Sequence, residues 1–337
     1  MYKVARCPPE EGELQIRTAT VNDAQAITDI HIADNPYGGW FRNPIIKRGP
    51  CGYEELTQFQ RMLHGGDWMD VNLCRRHINE YITRGYPILV AEEKGKVVGE
   101  CELWLADEPK PFVKYSAIEM LMVGKETDKA AVELALVEKG EERCSRLGPA
   151  NYDVSPQHGG DGLDWQELGF KELRDTRTCR CDLRTIEEPD FDFTASEESQ
   201  SYDRVSHLLA WNHHEPSELA FGLWPPAKLA GFDRHSKRLF MRTKVESFGL
   251  EFFLHADRPD WLPEEVTMAD IWSNAAVIGK ADLAQTVIRS VAATVGRLGE
   301  GILEAYVPKH LLPAMRELGF GGGEKPDLWL RKRISSK

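Results

Sequence analysis

The chain has 337 residues, a formal charge of −12 at neutral pH, 42% hydrophobic and 28% charged residues. That length exceeds one typical core and fits two domains. The acidic balance excludes the basic surface that non-specific nucleic-acid binding and docking on anionic membranes require.

Acidity of this kind suits a cationic ligand or an amine, and it serves solubility equally well. The N-terminal MYKVARCPPEEGEL lacks the apolar segment of a secretory signal, and no run reaches the roughly 18 apolar residues of a membrane span. Seven cysteines, odd in number and scattered, read as free thiols of a cytoplasmic protein. Cys179 and Cys181 form a C-x-C on one face of a strand. No second pair stands at zinc spacing, so no metal is expected.

In chain order, LQIRTAT reads as a strand and Asn22-Asp23 as a helix start leading into AQAITDIHIA. Residues 35–70 are rich in glycine, proline and aromatics and read as a long connection of the kind that forms binding loops or lids. VNLCRRHINEYITRG reads as a helix stopped by Gly85. YPILVAEE and VVGECELWLA flank the turn Lys94-Gly95-Lys96 and read as a hairpin, with YSAIEMLMV as a third strand. A helix of about five turns ends at Gly148, followed by the strand ANYDVSP, a short helix in DGLDWQELGF and the strand TRTCRCDLR.

The second half repeats this order. YDRVSHLLAWNHH reads as a helix, LFMRTKVES and FGLEFFLHAD as a hairpin, and VTMADIWSNAAV as a strand. KADLAQTVIRSVAATVGRLG is a long helix, GILEAYVP a strand, HLLPAMRELGF a short helix and DLWLRKRI a last strand. WQELGF at 165–170 and MRELGF at 315–320 mark the two copies, and RLG recurs ahead of each at 146–148 and 297–299. Duplication follows, with domains at 1–188 and 189–337 and the acidic stretch 185–199 as linker.

Each half resembles the GNAT fold of acyl-CoA-dependent N-acyltransferases, on IRTATVNDAQAITDI, LVAEEKGKVVGECELW and WQELGF in the first copy. The resemblance covers about 15–183 and, more divergently, about 200–334. It implies an α/β architecture of two mixed sheets flanked by helices. It also implies acetyl-CoA or another acyl-CoA as co-substrate, lying between the fourth and fifth strands with its pyrophosphate at the long helix's N-terminus. The positions that would meet it are Leu121, Met122 and Val123 on the strand and Asp128, Lys129, Ala130 and Ala131 at the helix start. The family's arginine falls on Asp128 and its glycines on Ala131 and Glu133. In the second half the same three positions hold Gly279, Asp282 and Ala284. The family's tyrosine acid falls on Trp165 and Met315, neither of which carries an O–H.

For a general base, Glu119 stands out as a carboxylate inside the apolar run SAIEMLMV, where burial would raise its pKa. A partly exposed or paired strand residue is the alternative. Glu100 and Glu102 share one strand face, His158 lies in QHGGDG beside the cleft, and Asp270 is the second-half counterpart. Tyr37, Trp40 and Phe41 either wall the acceptor site or plug the core. His213-His214 reads as a polar helix end rather than a metal site. The expectation is an N-acetyltransferase acting on a small-molecule or peptide amine, monomer or homodimer, with the first half the better equipped. The alternative is a tandem GNAT-like binding or scaffold protein without catalysis.

Overall fold

The computed structural model describes residues 14–107, 113–197, 206–209, 224–262, 266–273, 280–299 and 301–334. The first half opens with β1 (Gln15–Thr18) and α1 (Ala24–Ala33). Arg17 clamps the entry to α1, reaching Asp23 at 2.7 and 2.9 Å and Glu92 at 2.8 Å. The long connection holds more structure than expected. It contains a small hairpin, β2 (Phe41–Asn43) and β3 (Arg48–Pro50), and the short helix α2 (Gln58–Met62). Helix α3 (Val71–Arg84) starts where the Asp70 side chain accepts from the amides of Asn72 and Leu73. It stops at Gly85, whose φ of 75° only glycine adopts freely.

Strands β4 (Ile88–Glu93) and β5 (Lys96–Asp107) form the expected hairpin; Lys94 and Gly95 both have positive φ, as a tight I′ turn needs. β6 (Lys114–Val123), α4 (Lys129–Leu147), β7 (Asn151–Val154) and β8 (Lys171–Asp182) follow. The short helix expected around WQELGF is a series of turns instead. Three glycines precede it within four residues (Gly159, Gly160, Gly162), and two take positive φ that a helix cannot use.

The second half contains β9 (Thr194–Glu197), β10 (Ser206–Leu209), α5 (Pro225–Ala230), β11 (Ser236–Val245), β12 (Leu250–Pro259) and β13 (Val266–Ser273). It closes with α6 (Ala281–Val295), β14 (Ile302–Pro308), α7 (Leu312–Glu317), β15 (Gly321–Gly322) and β16 (Asp327–Arg333). The helix expected over 202–214 is a strand at 206–209; its remaining residues, His213 and His214 included, lie outside the described residues. No helix among the described residues is long and apolar enough to cross a membrane.

All strands but β2 and β3 join one continuous sheet. Its main path runs β1-β4-β5-β6-β7-β16-β8-β14-β13-β12-β11-β9. At the centre the halves exchange strands: β16, from the chain's end, lies between β7 and β8, while β8, from the first half, lies beside β14. Core packing follows the exchange. Trp329 of β16 is buried with Tyr115 and Ala117 of the first half, and Cys179 and Cys181 of β8 are buried together among second-half residues. Two ion pairs bracket the exchange in matching places. Arg331 grips Asp153 with two bonds of 2.7 Å, and Arg180 reaches Glu304 at 2.5 Å. Each joins a strand to its exchanged neighbour at facing register positions.

Candidate functional site

β6 pairs with β7 in parallel over Ser116–Ile118 only, opposite Tyr152–Val154. Beyond that point the two strands part, and Met120–Val123 continues alone on that side. Just there β6 carries a bulge: Ile118 faces Leu103 and Met120 faces Glu102, so Glu119 is the extra residue. A bulge re-aims its side chain and bends the strand. Ile118, Leu121, Cys101 and Leu103 pack toward α4. Glu119 is turned the other way, toward α3, where its charge acts on the buried Tyr81. Met120 and Met122 flank it, and all three are partly exposed.

Glu100 and Glu102 occupy the same face and are fully buried. Each is met by a histidine. Glu100 Oε1 lies 2.5 Å from His31 Nε2, on α1, and Glu102 Oε2 lies 2.8 Å from His77 Nε2, on α3. His77 Nδ1 turns to Asp67 Oδ2 at 3.0 Å, and the indole of Trp68 donates to Glu102 Oε1 at 2.8 Å. The indole of Trp224, from the second half, donates to Asp67. Burial works against charge on His77, but Glu102 and Asp67 outweigh it and hold its pKa up at about 10. Burial pushes the Glu100 carboxyl up, opposed by its bond to His31. Of the three carboxylates, Glu119 is therefore the one not fully buried. The sequence places His31 on the helical face of Ile27 and Ile30, where it is buried; His77 went unnoticed, although it falls on the helical face of Leu73, Cys74, Ile78 and Tyr81.

Tyr37, Trp40 and Phe41 gather around His64. His64 Nδ1 bonds to the Gln60 carbonyl at 2.8 Å, and Nε2 accepts the Phe41 amide at 3.1 Å, which fixes a neutral ring. Burial lowers its pKa, in keeping with that state. Trp40 also packs on Tyr53, whose other face carries the Arg61 guanidinium. The three aromatics are partly exposed around the buried His64.

On the α4 side, Asp128 caps the helix by accepting from the Ala131 amide at 3.2 Å. Asp128, Lys129, Ala130 and Ala131 are exposed, while Leu121 and Val123 are buried on the strand. Between them lies the loop after β7. A Cβ on Gly159 would stand 1.9 Å from the Leu121 carbonyl oxygen, and one on Gly160 would stand 2.4 Å from the Trp165 ring. Glu133 is fully buried under this loop. Burial raises its pKa, and Lys129 with the amides of Gly162 and Gly160 oppose the rise. His158 ends the short 3-10 turn of Pro156–His158; its side chain is outside the described residues. Trp165 packs edge-on against Phe170. The Asp128 cap and the glycine loop lie where the resemblance puts the diphosphate of an acyl-CoA.

The second half repeats this geometry with differences. β13 pairs with β14 over Val266–Met268 only. Matching the core-facing Tyr152 and Leu303 places Asp270 where Glu119 stands, but β13 pairs with β12 there without a bulge. Asp270 lies 3.5 Å from His255. The free end of β13 is taken by β10, with Ser206 opposite Ser273, His207 opposite Trp272 and Leu209 opposite Ile271. Of the second half's diphosphate positions, Gly279 is outside the described residues, Asp282 lies in the first turn of α6 and Ala284 is buried.

No family model and no curated protein matches the sequence. Solved structures do match. A GCN5-related N-acetyltransferase from Kribbella flavida aligns with a TM-score of 0.54 at 12% identity, covering 96% of this chain and 72% of its own. A GCN5-related N-acetyltransferase from Anabaena variabilis gives 0.53 at 11%, covering 96% and 73%. Eis1 from Mycobacterium abscessus gives 0.52 at 10%, covering 96% and 74%. With the internal repeat and the doubled pattern of parting strands, this chain has the GNAT fold, twice in tandem, as a mixed α/β sheet flanked by helices.

Proposed function

We propose that the first half carries an N-acyltransferase site for an amine acceptor, and that the second half is its structural partner. The observation that carries this reading is the Glu119 bulge. It sets a partly exposed glutamate, one of whose carboxylate oxygens is buried, beside the last contact of β6 with β7, and Asp270 has no such bulge. The openings also differ in how they are filled. In the second half a hydrogen-bonded strand occupies the edge of β13. In the first, no backbone hydrogen bond ties Gly159 or Gly160 to β6 among the described residues.

An acyl thioester would supply the acyl group. An amine attacking it must shed a proton, and Glu119 is placed to accept it. Trp165 carries no O–H and its indole N–H is too weak an acid to protonate a leaving thiolate.

The test is thiol release from acetyl-CoA with a panel of primary amines. Glu119→Gln should lower kcat/KM by about 10²-fold or more, with Asp270→Asn near wild type. Unchanged turnover in Glu119→Gln sinks the base assignment. Absence of acetyl-CoA binding at millimolar concentration sinks the transferase reading. It would favour the second one, a binding or scaffold role, for which the filling of both openings by the chain itself speaks.

A further inference from the structure

Ser155–Leu163 crosses the gap between the ends of β6 and β7. Gly159 (φ 124°) and Gly160 (φ 82°) let the backbone settle against Leu121 and Trp165, a fit that no side chain permits. On its underside, the Gly162 backbone meets the Glu133 carboxylate, and a Cβ there would be 3.1 Å from Oε2. Glu133 is fully buried, and neither carboxylate oxygen has a hydrogen-bond partner of standard geometry among the described residues. The charged groups facing it are Lys129 on its own helix, at 3.7 Å, and Asp161 on the loop, 3.5 Å from the same ammonium. A buried carboxylate whose one cationic neighbour stands at 3.7 Å is costlier when ionised than when neutral.

We propose that the Ser155–Leu163 loop is a lid over the end of β6 and that Glu133 is its latch. The lid exposes Met120–Val123 when it lifts; its role in admitting an acyl donor rests on the transferase reading above, while the lid itself does not. Burial under the lid raises the Glu133 pKa, so the closed state binds the proton more tightly than the open one. Closure is therefore favoured at low pH and weakens as pH rises and the carboxyl ionises. Lys129 and the two glycine amides soften the change, and Asp161 adds to it.

Hydrogen–deuterium exchange on the full chain, corrected for intrinsic rates, tests this. The peptide covering 156–163 should lose protection severalfold between pH 4 and pH 8. Glu133→Gln, and Glu133→Leu as an apolar variant of similar size, should hold the loop protected at both. Gly159→Ala should leave it unprotected at both, because its Cβ collides with the Leu121 carbonyl. Peptides of β11 and β12 serve as the folding control. A flat wild-type profile, a Glu133→Gln or Glu133→Leu profile that tracks wild type, or a protected loop in Gly159→Ala overturns the proposal. Calorimetric titration of acetyl-CoA into Gly159→Ala tests the transferase reading separately.

Discussion

His77 carries a charge where no water reaches it, and it does so because two carboxylates converge on its two ring nitrogens. Its folded pKa of about 10 lies above the ordinary 6.5. The stability it adds is whole below pH 6.5 and is lost as pH rises through about 10. His64 has the opposite sign. Its pKa is lowered from 6.5, so its neutral ring contributes fully above that value and the contribution is lost as pH falls below it. Histidine ring NMR should find His77 still protonated at pH 8 and His64 still neutral at pH 6.5. His77→Ala would strand Glu102 and Asp67 in the interior. It should cost about 3–5 kcal/mol in urea unfolding, the range for a broken buried pair. A cost below about 1 kcal/mol, typical of exposed pairs, would mean that the network is solvated.

At the level of elements, the two ion pairs at the exchanged strands occupy matching positions but differ in burial. Arg331 is 13% exposed and Asp153 not at all, whereas Arg180 is 55% exposed over a Glu304 that is only 9% exposed. Burial raises the Asp153 pKa to about 6 even with Arg331 bound, so losing that guanidinium makes the charged carboxylate costlier still. Arg331→Ala should cost about 3–5 kcal/mol, and Arg180→Ala less, because water can take the place of its largely exposed guanidinium. Equal costs by chemical denaturation would refute the distinction. None of this pairing was legible in the sequence. The periodicity of TRTCRCDLR and DLWLRKRI identifies strands with one buried face, but not which neighbour each will pair with, because that is decided far along the chain. Ser206–Leu209 failed for a related reason: a short apolar run fits helix or strand, and pairing with β13 decides it. Glu119 was legible because a lone charge in an apolar run is conspicuous. Glu133 was legible only as an interruption of a phosphate motif, since burial under a loop leaves no local signal.

For the whole molecule, the exchange means that each half completes the other. A fragment of residues 1–188 lacks β16, so β7 and β8 face an empty place in the sheet and the core loses Trp329. A fragment of 189–337 lacks β8, leaving β14 with an open edge where Cys179 and Cys181 had packed. Losing one buried tryptophan alone costs about 3–5 kcal/mol, against a total stability of about 5–15 kcal/mol for a domain. The first fragment also loses four facing positions of β16 on β7 and five on β8, and the second loses seven of β14 on β8. Neither fragment should fold by itself, and each exposed edge should promote aggregation. Mixed at equal concentration from denaturant, the two should recover a folded complex, because the chain break falls outside the exchanged strands. Dispersed amide NMR spectra from the mixture, and collapsed ones from each fragment alone, are the expected result. A well-dispersed spectrum from 1–188 in isolation would mean that the first half closes its sheet without β16, and that the exchange is an addition to the fold rather than a condition of it.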